Sequence, residues 1–175
     1  MAHDLTPSRE LRFGVAGDSD AAELAAMHIA VARDLTVRFG RGHWSFEPTQ
    51  KSVGRAIVTS RVVVARLHGA IAGSFELQTK KPSAIDRTYF TDASRPLYLL
   101  AMAVTPSLQR QGIGRRLLDE AVALARDWPA GAIRLDAYDG DAGAGPFYAK
   151  CGFTEIGRFV YRGTPLVYFE LLLDR

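Results

Sequence analysis

The feature that most constrains the fold is an apolar strand that leads through a short loop into a helix opened by two glycines. Leu97–Val104 is almost continuously apolar, as expected of a strand in the middle of a sheet that is covered on both faces. Gly112 and Gly114 follow, and a helix is predicted over 112–127. The stripe that this helix is expected to bury is Ile113, Leu117, Ala121, Leu124 and Trp128. Such a chain requires a sheet layered with helices.

The loop between this strand and this helix has the chemistry of an anion site. Glycine lets the backbone approach a ligand closely, because no Cβ intervenes. The N–H groups of the first helical turn lack intrahelical partners, and the helix dipole favours negative charge there. Arg110 and Arg115 add positive charge. The segment therefore predicts a phosphate or pyrophosphate site.

Two common phosphate-binding patterns do not fit this loop. The chain has no Gly-x-x-x-x-Gly-Lys-Ser/Thr string. A dinucleotide fingerprint needs a third glycine where Leu117 stands, although Asp136 follows at roughly the required 20 residues. The glycines also come too late after Val104 for the tight strand-to-helix turn of a dinucleotide site.

The rest of the chain predicts one layered domain over residues 11–175, preceded by a flexible tail over residues 1–10. Strands are predicted at Leu11–Val15, Arg61–Leu67, Ala72–Thr79, Leu97–Val104, 133–138 and Leu166–Leu173. Helices are predicted over 20–38, 49–59, 112–127 and 142–150. This order of elements predicts an α+β or mixed α/β domain around one central sheet.

The composition of the chain limits the kinds of partner and environment that we expect for the protein. The formal charge is +3, and the Lys and Arg residues are scattered, so a nucleic-acid surface is not expected. Leu97–Val104, the longest apolar run, is far shorter than the ~18–20 residues needed to cross a bilayer, and the first residues carry no signal-peptide segment. A single cysteine, Cys151, predicts a reducing cytoplasm. No His/Cys cluster has metal-ligand spacing, so no metal is expected.

Two segments together resemble the GNAT acetyltransferase superfamily. Residues 109–114, Gln-Arg-Gln-Gly-Ile-Gly, match its Gln/Arg-x-x-Gly-x-Gly/Ala pattern, with Val-x-Pro just before. Residues 141–153 resemble its Asn-x-x-Ala-x-x-Phe-Tyr-x-Lys-x-Gly-Phe segment. A predicted helix and strand separate the two, as in the family. The resemblance covers the element order from Leu11 onward and is specific over about 96–153.

The resemblance implies an acyl-CoA-dependent N-acetyltransferase that uses acetyl-CoA as acyl donor. It also implies a mostly antiparallel sheet of about six or seven strands with about four helices, splayed at the cofactor site. The loop amides expected to hold the pyrophosphate are those of Gln109, Arg110, Gln111, Gly112, Ile113 and Gly114, with charge from Arg115. Met102 and Val104 would meet the pantetheine arm and the acetyl carbonyl. Asp141 stands where the family has a cofactor-contacting Asn, and an ionised Asp cannot donate a hydrogen bond.

Two residues are predicted to move protons. Tyr148 falls at the family's tyrosine near the thioester, where a phenol with a pKa of ~10 can protonate the leaving thiolate. Many family members deprotonate the amine with a carboxylate on the fourth strand, but Leu97–Val104 has none. Glu76 on the neighbouring strand is the substitute candidate; an ordered water or the amine's own pKa are the alternatives. Phe147 and His28 are expected to pack in the core.

The sequence does not identify the amine that accepts the acetyl group. A small-molecule amine is favoured, because residues 39–50 and 80–95 are long and aromatic enough to close a pocket. Their aromatic residues could equally pack the core: Trp44, Phe46, Tyr89 and Phe90. The alternatives are a protein N-terminal or lysine acetyltransferase and a non-catalytic acyl-CoA-binding sensor. A homodimer could form through the apolar last strand, Leu166–Leu173.

Overall fold

One sheet carries helices on both of its faces. The computed structural model describes residues 11–173, and within them the sheet has seven strands. The strands are β1 (Arg12–Val15), β2 (Arg61–Leu67), β3 (Ala70–Gln78), β4 (Leu97–Val104), β5 (Ala132–Tyr138), β6 (Thr154–Tyr161) and β7 (Thr164–Leu172). The α-helices are α1 (Ala21–Phe39), α2 (Gln50–Thr59), α3 (Ile113–Asp127) and α4 (Gly145–Lys150). The predicted α+β class and strand number are confirmed.

Alternation along the strands creates a core on each face of the sheet. On β2, Val63 and Ala65 point toward α3 and α4 and join the larger core. Val62 and Val64 point the other way and pack with residues of α1 and α2. The four helices therefore form two layers, with α1 and α2 on one face and α3 and α4 on the other.

The strand order places a gap in the middle of the sheet. The order is β1-β2-β3-β4-β5-β7-β6, and every neighbouring pair is antiparallel except β4 and β5. The parallel ladder consists of Leu97 opposite Ile133 and Tyr98 opposite Arg134. Past these two pairs the strands diverge, as the resemblance implied, and the facing backbone of β4 is left open.

A bulge interrupts β4 beside this gap. The β3–β4 register shifts between Ser74 and Glu76, and Ala101 adopts φ +47°. The shift reverses the alternation, so Leu99 and Met102 both face the larger core. A non-glycine residue at positive φ within a strand costs about 1–3 kcal/mol and is typical of functional sites. The sequence gives no sign of the bulge, because the whole strand is apolar.

The sequence pattern did not predict β6, which forms one edge of the sheet. Thr154–Tyr161 is largely exposed and does not alternate cleanly, because it pairs on one side only. β7 lies between β5 and β6 and both of its backbone edges are paired, so Leu166–Leu173 cannot join a partner by extending the sheet. The homodimer itself stays a prediction.

Two predicted helix details are also corrected. Trp128 is 51% exposed, because α3 ends at Asp127 and the chain turns away at Pro129. Leu118 and Ala125 complete the buried stripe instead. The last helix begins at Gly145, not at residue 142, with Pro146 in its first turn, a position where the missing N–H of proline costs nothing.

The long segment between β3 and β4 is fixed onto β7. The Tyr168 hydroxyl donates to the Ala84 carbonyl at 2.6 Å and accepts from the Asp86 amide at 2.9 Å. Farther along, Thr91 hydrogen-bonds through its hydroxyl to the Glu170 carboxylate. Arg134 joins the same cluster: its Nε lies 2.9 Å from the Glu170 Oε1. Residues 80–95 therefore cover the sheet and do not form an independent lid.

The predicted tail over residues 1–10 lies outside the described residues. Within residues 11–173 no helix is long and apolar enough to span a bilayer.

Candidate active site

The loop before α3 is braced by its own glutamine side chains. Gln109 donates from Nε2 to the Val104 carbonyl at 3.1 Å, and Gln111 does the same to the Ser107 carbonyl at 3.2 Å. These side chains therefore hold the turn in shape. The predicted anion-binding role falls to the backbone amides of the loop.

The amides at the start of α3 are presented to a ligand. Gly112 precedes the helix with φ +83°, a left-handed conformation that favours glycine. The amide of Arg116 reaches back to the Gly112 carbonyl at 3.2 Å, so the amides of Ile113, Gly114 and Arg115 belong to the unpaired first turn of the helix. Among the described residues, no side chain caps this N-terminus. The geometry suits a pyrophosphate oxygen.

The two arginines of this region are exposed. Arg110 occupies the loop at φ +60°. Arg115 lies 3.2 Å from Asp119 one turn along the helix, in an ion pair whose side chains are both more than half exposed. Surface pairs of this kind are weak, so Arg115 is free to turn toward an anion.

The two motifs found in the sequence touch each other. Phe147 of α4 packs over Gly114, where an added methyl group would lie 3.3 Å from the Phe147 ring. Met102 of β4 borders the same point. Strand, loop and α4 thus meet at the N-terminus of α3. Asp141 is exposed on the turn between β5 and α4, and its contact with a cofactor stays a prediction.

Tyr148 is buried in the larger core. Its ring packs against Phe147, Phe153 and Phe169 at centroid distances of 5.4, 5.7 and 6.0 Å. Burial raises the pKa of Tyr148 well above its ordinary range, and the nearby Asp136 and Cys151 raise it further. The phenol therefore stays protonated at neutral pH and can act only as a proton donor. Phe147, expected in the core, is half-buried at its edge.

A cavity of about 280 Å³ lies beside the β4 bulge. It is lined by Ala101 of the bulge and by Glu76 and Ser74 of β3. The Ser60 hydroxyl donates to the Glu76 carboxylate at 2.6 Å, which fixes its position. The remaining wall is mainly apolar and comes from β2, β3, α1, α2 and the loop between the two helices: Val62, Phe75, Leu24, His28, Phe46, Pro48, Ser52, Val53 and Ala56.

His28 does not behave as the packed core residue expected from the sequence. It is half-buried and lines this cavity, with Nε2 3.3 Å from the Ser74 hydroxyl. Burial lowers the pKa of His28, so the ring is neutral at pH 7. The sequence did place His28 on the apolar face of α1, which packs toward the sheet, and this position was the one sign that it could line a cavity there.

The sequence left open whether four aromatic residues line a pocket or pack in the core. Phe46 lines the cavity. Phe90 is buried, and Tyr89 packs on Tyr168 at 5.4 Å; both lie over β7, so residues 80–95 do not contribute to the cavity. Trp44 packs against Tyr138 of β5 at 4.9 Å. The predicted closing of a pocket by both loops is thus correct only for the loop after α1.

Within residues 11–173 no group of three His, Cys, Asp or Glu side chains is placed to hold a metal ion. The single cysteine, Cys151, is a half-buried free thiol at the end of α4.

Comparison with known proteins agrees with this geometry. The sequence pattern of the Acetyltransferase (GNAT) family matches residues 29–153. No curated protein sequence matches the chain significantly. Among solved structures, an N-acetyltransferase from Staphylococcus aureus Mu50 has a TM-score of 0.71 and 15% identity, covering 94% of this chain and 99% of that one.

Two further structures have the same fold. The structure of yncA from Salmonella typhimurium with its cofactor acetyl-CoA has a TM-score of 0.67 and 18% identity, covering 95% of both chains. The ribosomal-protein-alanine N-acetyltransferase from Brucella melitensis has a TM-score of 0.70 and 19% identity, covering 93% of this chain and all 100% of its own. At these identities the likeness concerns the fold.

The family match spans most of the domain and includes both motifs, so the chain belongs to the GNAT acetyltransferase family. It is an acyl-CoA-dependent N-acetyltransferase, and its acyl donor is acetyl-CoA. The unpaired amides at the start of α3, the left-handed Gly112 and the open edge of β4 fit such a donor.

Proposed function

We propose that the protein transfers the acetyl group of acetyl-CoA to the primary amine of a small molecule with an apolar body. The cavity beside the β4 bulge carries this proposal. Its volume of about 280 Å³ suits a small ligand, its walls are mainly apolar, and Glu76 supplies one carboxylate that can receive an ammonium group. Because Cys151 is the chain's one cysteine, we place the reaction in the cytoplasm.

Each part of the site has one task in this proposal. The donor supplies an activated thioester carbonyl. The amides of residues 110–114 hold its pyrophosphate, whereas the Gln109 amide donates to the Pro106 carbonyl. The β4 backbone at Met102 and Val104 holds the arm that follows. Glu76 orients the amine and takes a proton from it, since a protonated alkylamine has no lone pair with which to attack. Tyr148 gives a proton to the leaving sulfur.

Thiol release tests the function directly. We would measure CoA release from acetyl-CoA with benzylamine, which combines an apolar ring with a primary amine, and with a peptide that begins with alanine. Faster release with benzylamine supports the small-molecule reading. Release with the peptide alone would indicate a protein acetyltransferase and overturn the proposal.

Replacing Glu76 by glutamine is expected to flatten the rise of kcat/KM for benzylamine with pH. The amide keeps the shape and the contact with Ser60, but it cannot accept a proton at neutral pH. The measurement is the full pH profile of wild type and Glu76→Gln. Ser60→Ala is the matched control, because it removes the bracing hydroxyl and leaves the carboxylate. An unchanged profile in Glu76→Gln would remove Glu76 from the mechanism.

Replacing Tyr148 by phenylalanine is expected to lower kcat by about 100-fold, the usual contribution of one general acid. The ring that packs against Phe153 and Phe169 is retained, so the thermal midpoint should hardly move. Tyr98→Phe is the control, because Tyr98 is also buried but packs on the other face of the sheet. A Tyr148→Phe enzyme with wild-type kcat would leave Tyr148 as a core residue only.

A further inference from the structure

The loop between α1 and α2 is held rigidly across the top of the sheet. The Ser45 hydroxyl lies 2.7 Å from that of Thr36 and accepts from the Gly42 amide at 3.0 Å. Trp44 donates from its indole nitrogen to the Gly40 carbonyl at 3.1 Å. These bonds hold the backbone on either side of His43, which lies between Gly42 and Trp44.

His43 is docked on β5 by aromatic contacts. Its ring lies 5.0 Å from that of Tyr138 and 5.2 Å from that of Trp44, and the latter two are 4.9 Å apart. The histidine remains exposed on one side. It is therefore positioned without being enclosed, so that one edge of the imidazole can be approached.

Asp136 is the carboxyl group whose charge acts on His43. It lies two residues before Tyr138 on β5, so both side chains point to the same face of the sheet. The carboxyl is half-buried, and no Lys or Arg of residues 11–173 forms an ion pair with it. A carboxylate withdrawn from water without a fixed cation is costly, and such groups concentrate at functional sites.

The titratable groups that act on Asp136 come from three elements. They are His43 from the loop, Tyr148 from α4 and Tyr168 from β7. Burial raises the pKa of Asp136 and lowers the pKa of His43, and the attraction between the two opposes both shifts. His43 is therefore neutral at pH 7, and any proton that it takes up is stabilised by the carboxylate.

Asp136 lies on the same face of the sheet as Glu76, across the gap between β4 and β5. Register places Glu76 beside Leu100, Gln78 beside Tyr98, and Tyr98 beside Arg134. Directly opposed residues share a face of the sheet, so Arg134 lies on the face that carries Gln78. Side chains two residues apart on a strand also share a face, so Glu76 and Asp136 lie on this face as well. Asp136 also lies beyond the last β4–β5 pair, where the strands have diverged. Asp136 thus borders the gap on β5, and Glu76 lies on its other side, one strand behind β4.

We propose that His43, supported by Asp136, is a second proton acceptor of the acetyl transfer. The inference rests on the proposed function. A primary ammonium must lose two protons to become an amide. Glu76 takes the first before attack; the nitrogen–carbon bond then forms, and His43 takes the second as the carbon–sulfur bond breaks. The departing thiolate receives its proton from Tyr148. Asp136 acts through His43 and is a positioning residue.

Variants of the pair separate this role from structural support. His43→Phe keeps a ring against Trp44 and Tyr138 but cannot accept a proton. It should lower kcat with benzylamine about 100-fold and remove the fall of kcat toward acid pH, with the KM for benzylamine little changed. His68→Asn is the control, because His68 is an exposed histidine in the β2–β3 turn at φ +52°, a conformation that Asn accepts.

A second measurement does not depend on turnover. The imidazole of His43 is titrated by NMR in wild type and in Asp136→Asn. Loss of the carboxylate should lower the titration midpoint, because an opposite charge favours the protonated ring. A midpoint that Asp136→Asn leaves unmoved overturns the pairing, and a His43→Phe enzyme with wild-type kcat and acid limb overturns the catalytic role. Wild type that transfers acetyl to no amine overturns the proposed function, and this inference with it.

Discussion

Replacing Gly112 and Gly114 together by aspartate is expected to weaken acetyl-CoA binding by roughly 100-fold or more, because a like charge about 4 Å from a phosphate costs about 1–4 kcal/mol at dielectric constants of 80 to 20. The substitution places two carboxylates at amides that would bind pyrophosphate. It also forces a side chain into the left-handed backbone of Gly112 and against Phe147 at Gly114. Isothermal titration with acetyl-CoA measures the loss directly.

The matched control for this variant is Gly69→Asp. Gly69 has φ +87° and open space around it, in the β2–β3 turn and outside the loop, so it reproduces the charge and the backbone strain of the Gly112 change. It should bind acetyl-CoA as wild type does. A folded double variant that keeps wild-type affinity would show that the α3 N-terminus does not hold the donor.

Replacing Glu170 by alanine is expected to reduce the free energy of unfolding by about 3–5 kcal/mol, the usual cost of removing one partner from a buried ion pair. The side chains of Arg134 and Glu170 are 5% and 2% exposed, so the guanidinium would be left charged, buried and without its carboxylate. The hydrogen bond from Thr91 is lost as well. Urea denaturation followed by circular dichroism measures the change.

Glu155→Ala is the control for the ion pair. It removes the same type of side chain from an exposed pair with Arg158, at 44% and 61% exposure, where a change of at most about 1 kcal/mol is expected. If Glu170→Ala were no more destabilising than Glu155→Ala, the cluster would not hold residues 80–95 on the sheet.

The sequence predicted those elements whose patterning is carried by buried residues. Leu97–Val104 and the helix opened by Gly112 are strongly apolar on the side that packs, so their boundaries came out within a residue. Thr154–Tyr161 was missed because an edge strand buries too little to impose alternation. Trp128 was misassigned because helical periodicity continues in the sequence past the point where the backbone stops being helical.

In the candidate site, too, the residues that depend on local sequence were predicted better than those that long-range packing brings together. The residues of the two motifs were found because backbone chemistry demands them locally: glycine at a positive φ, and an aromatic pair in a short helix. The acceptor side was only partly foreseen. Glu76 was named from the sequence and lines the cavity. His28 reaches the same cavity, and His43 reaches β5, only through long-range packing that no local spacing in the sequence indicates.

The short β4–β5 ladder has a mechanical consequence. Strands β1–β4 form one continuous hydrogen-bonded plate, and β5, β7 and β6 form another. Two residue pairs are the backbone ladder between the plates, and α3 crosses from one to the other. Anything that lies in the gap contacts both plates at once and ties them together, so its binding energy is added to the stability of the native state. A donor held there, as we propose, would be a structural crosslink as well as a reactant, and its release would leave the two plates joined by the short ladder and α3.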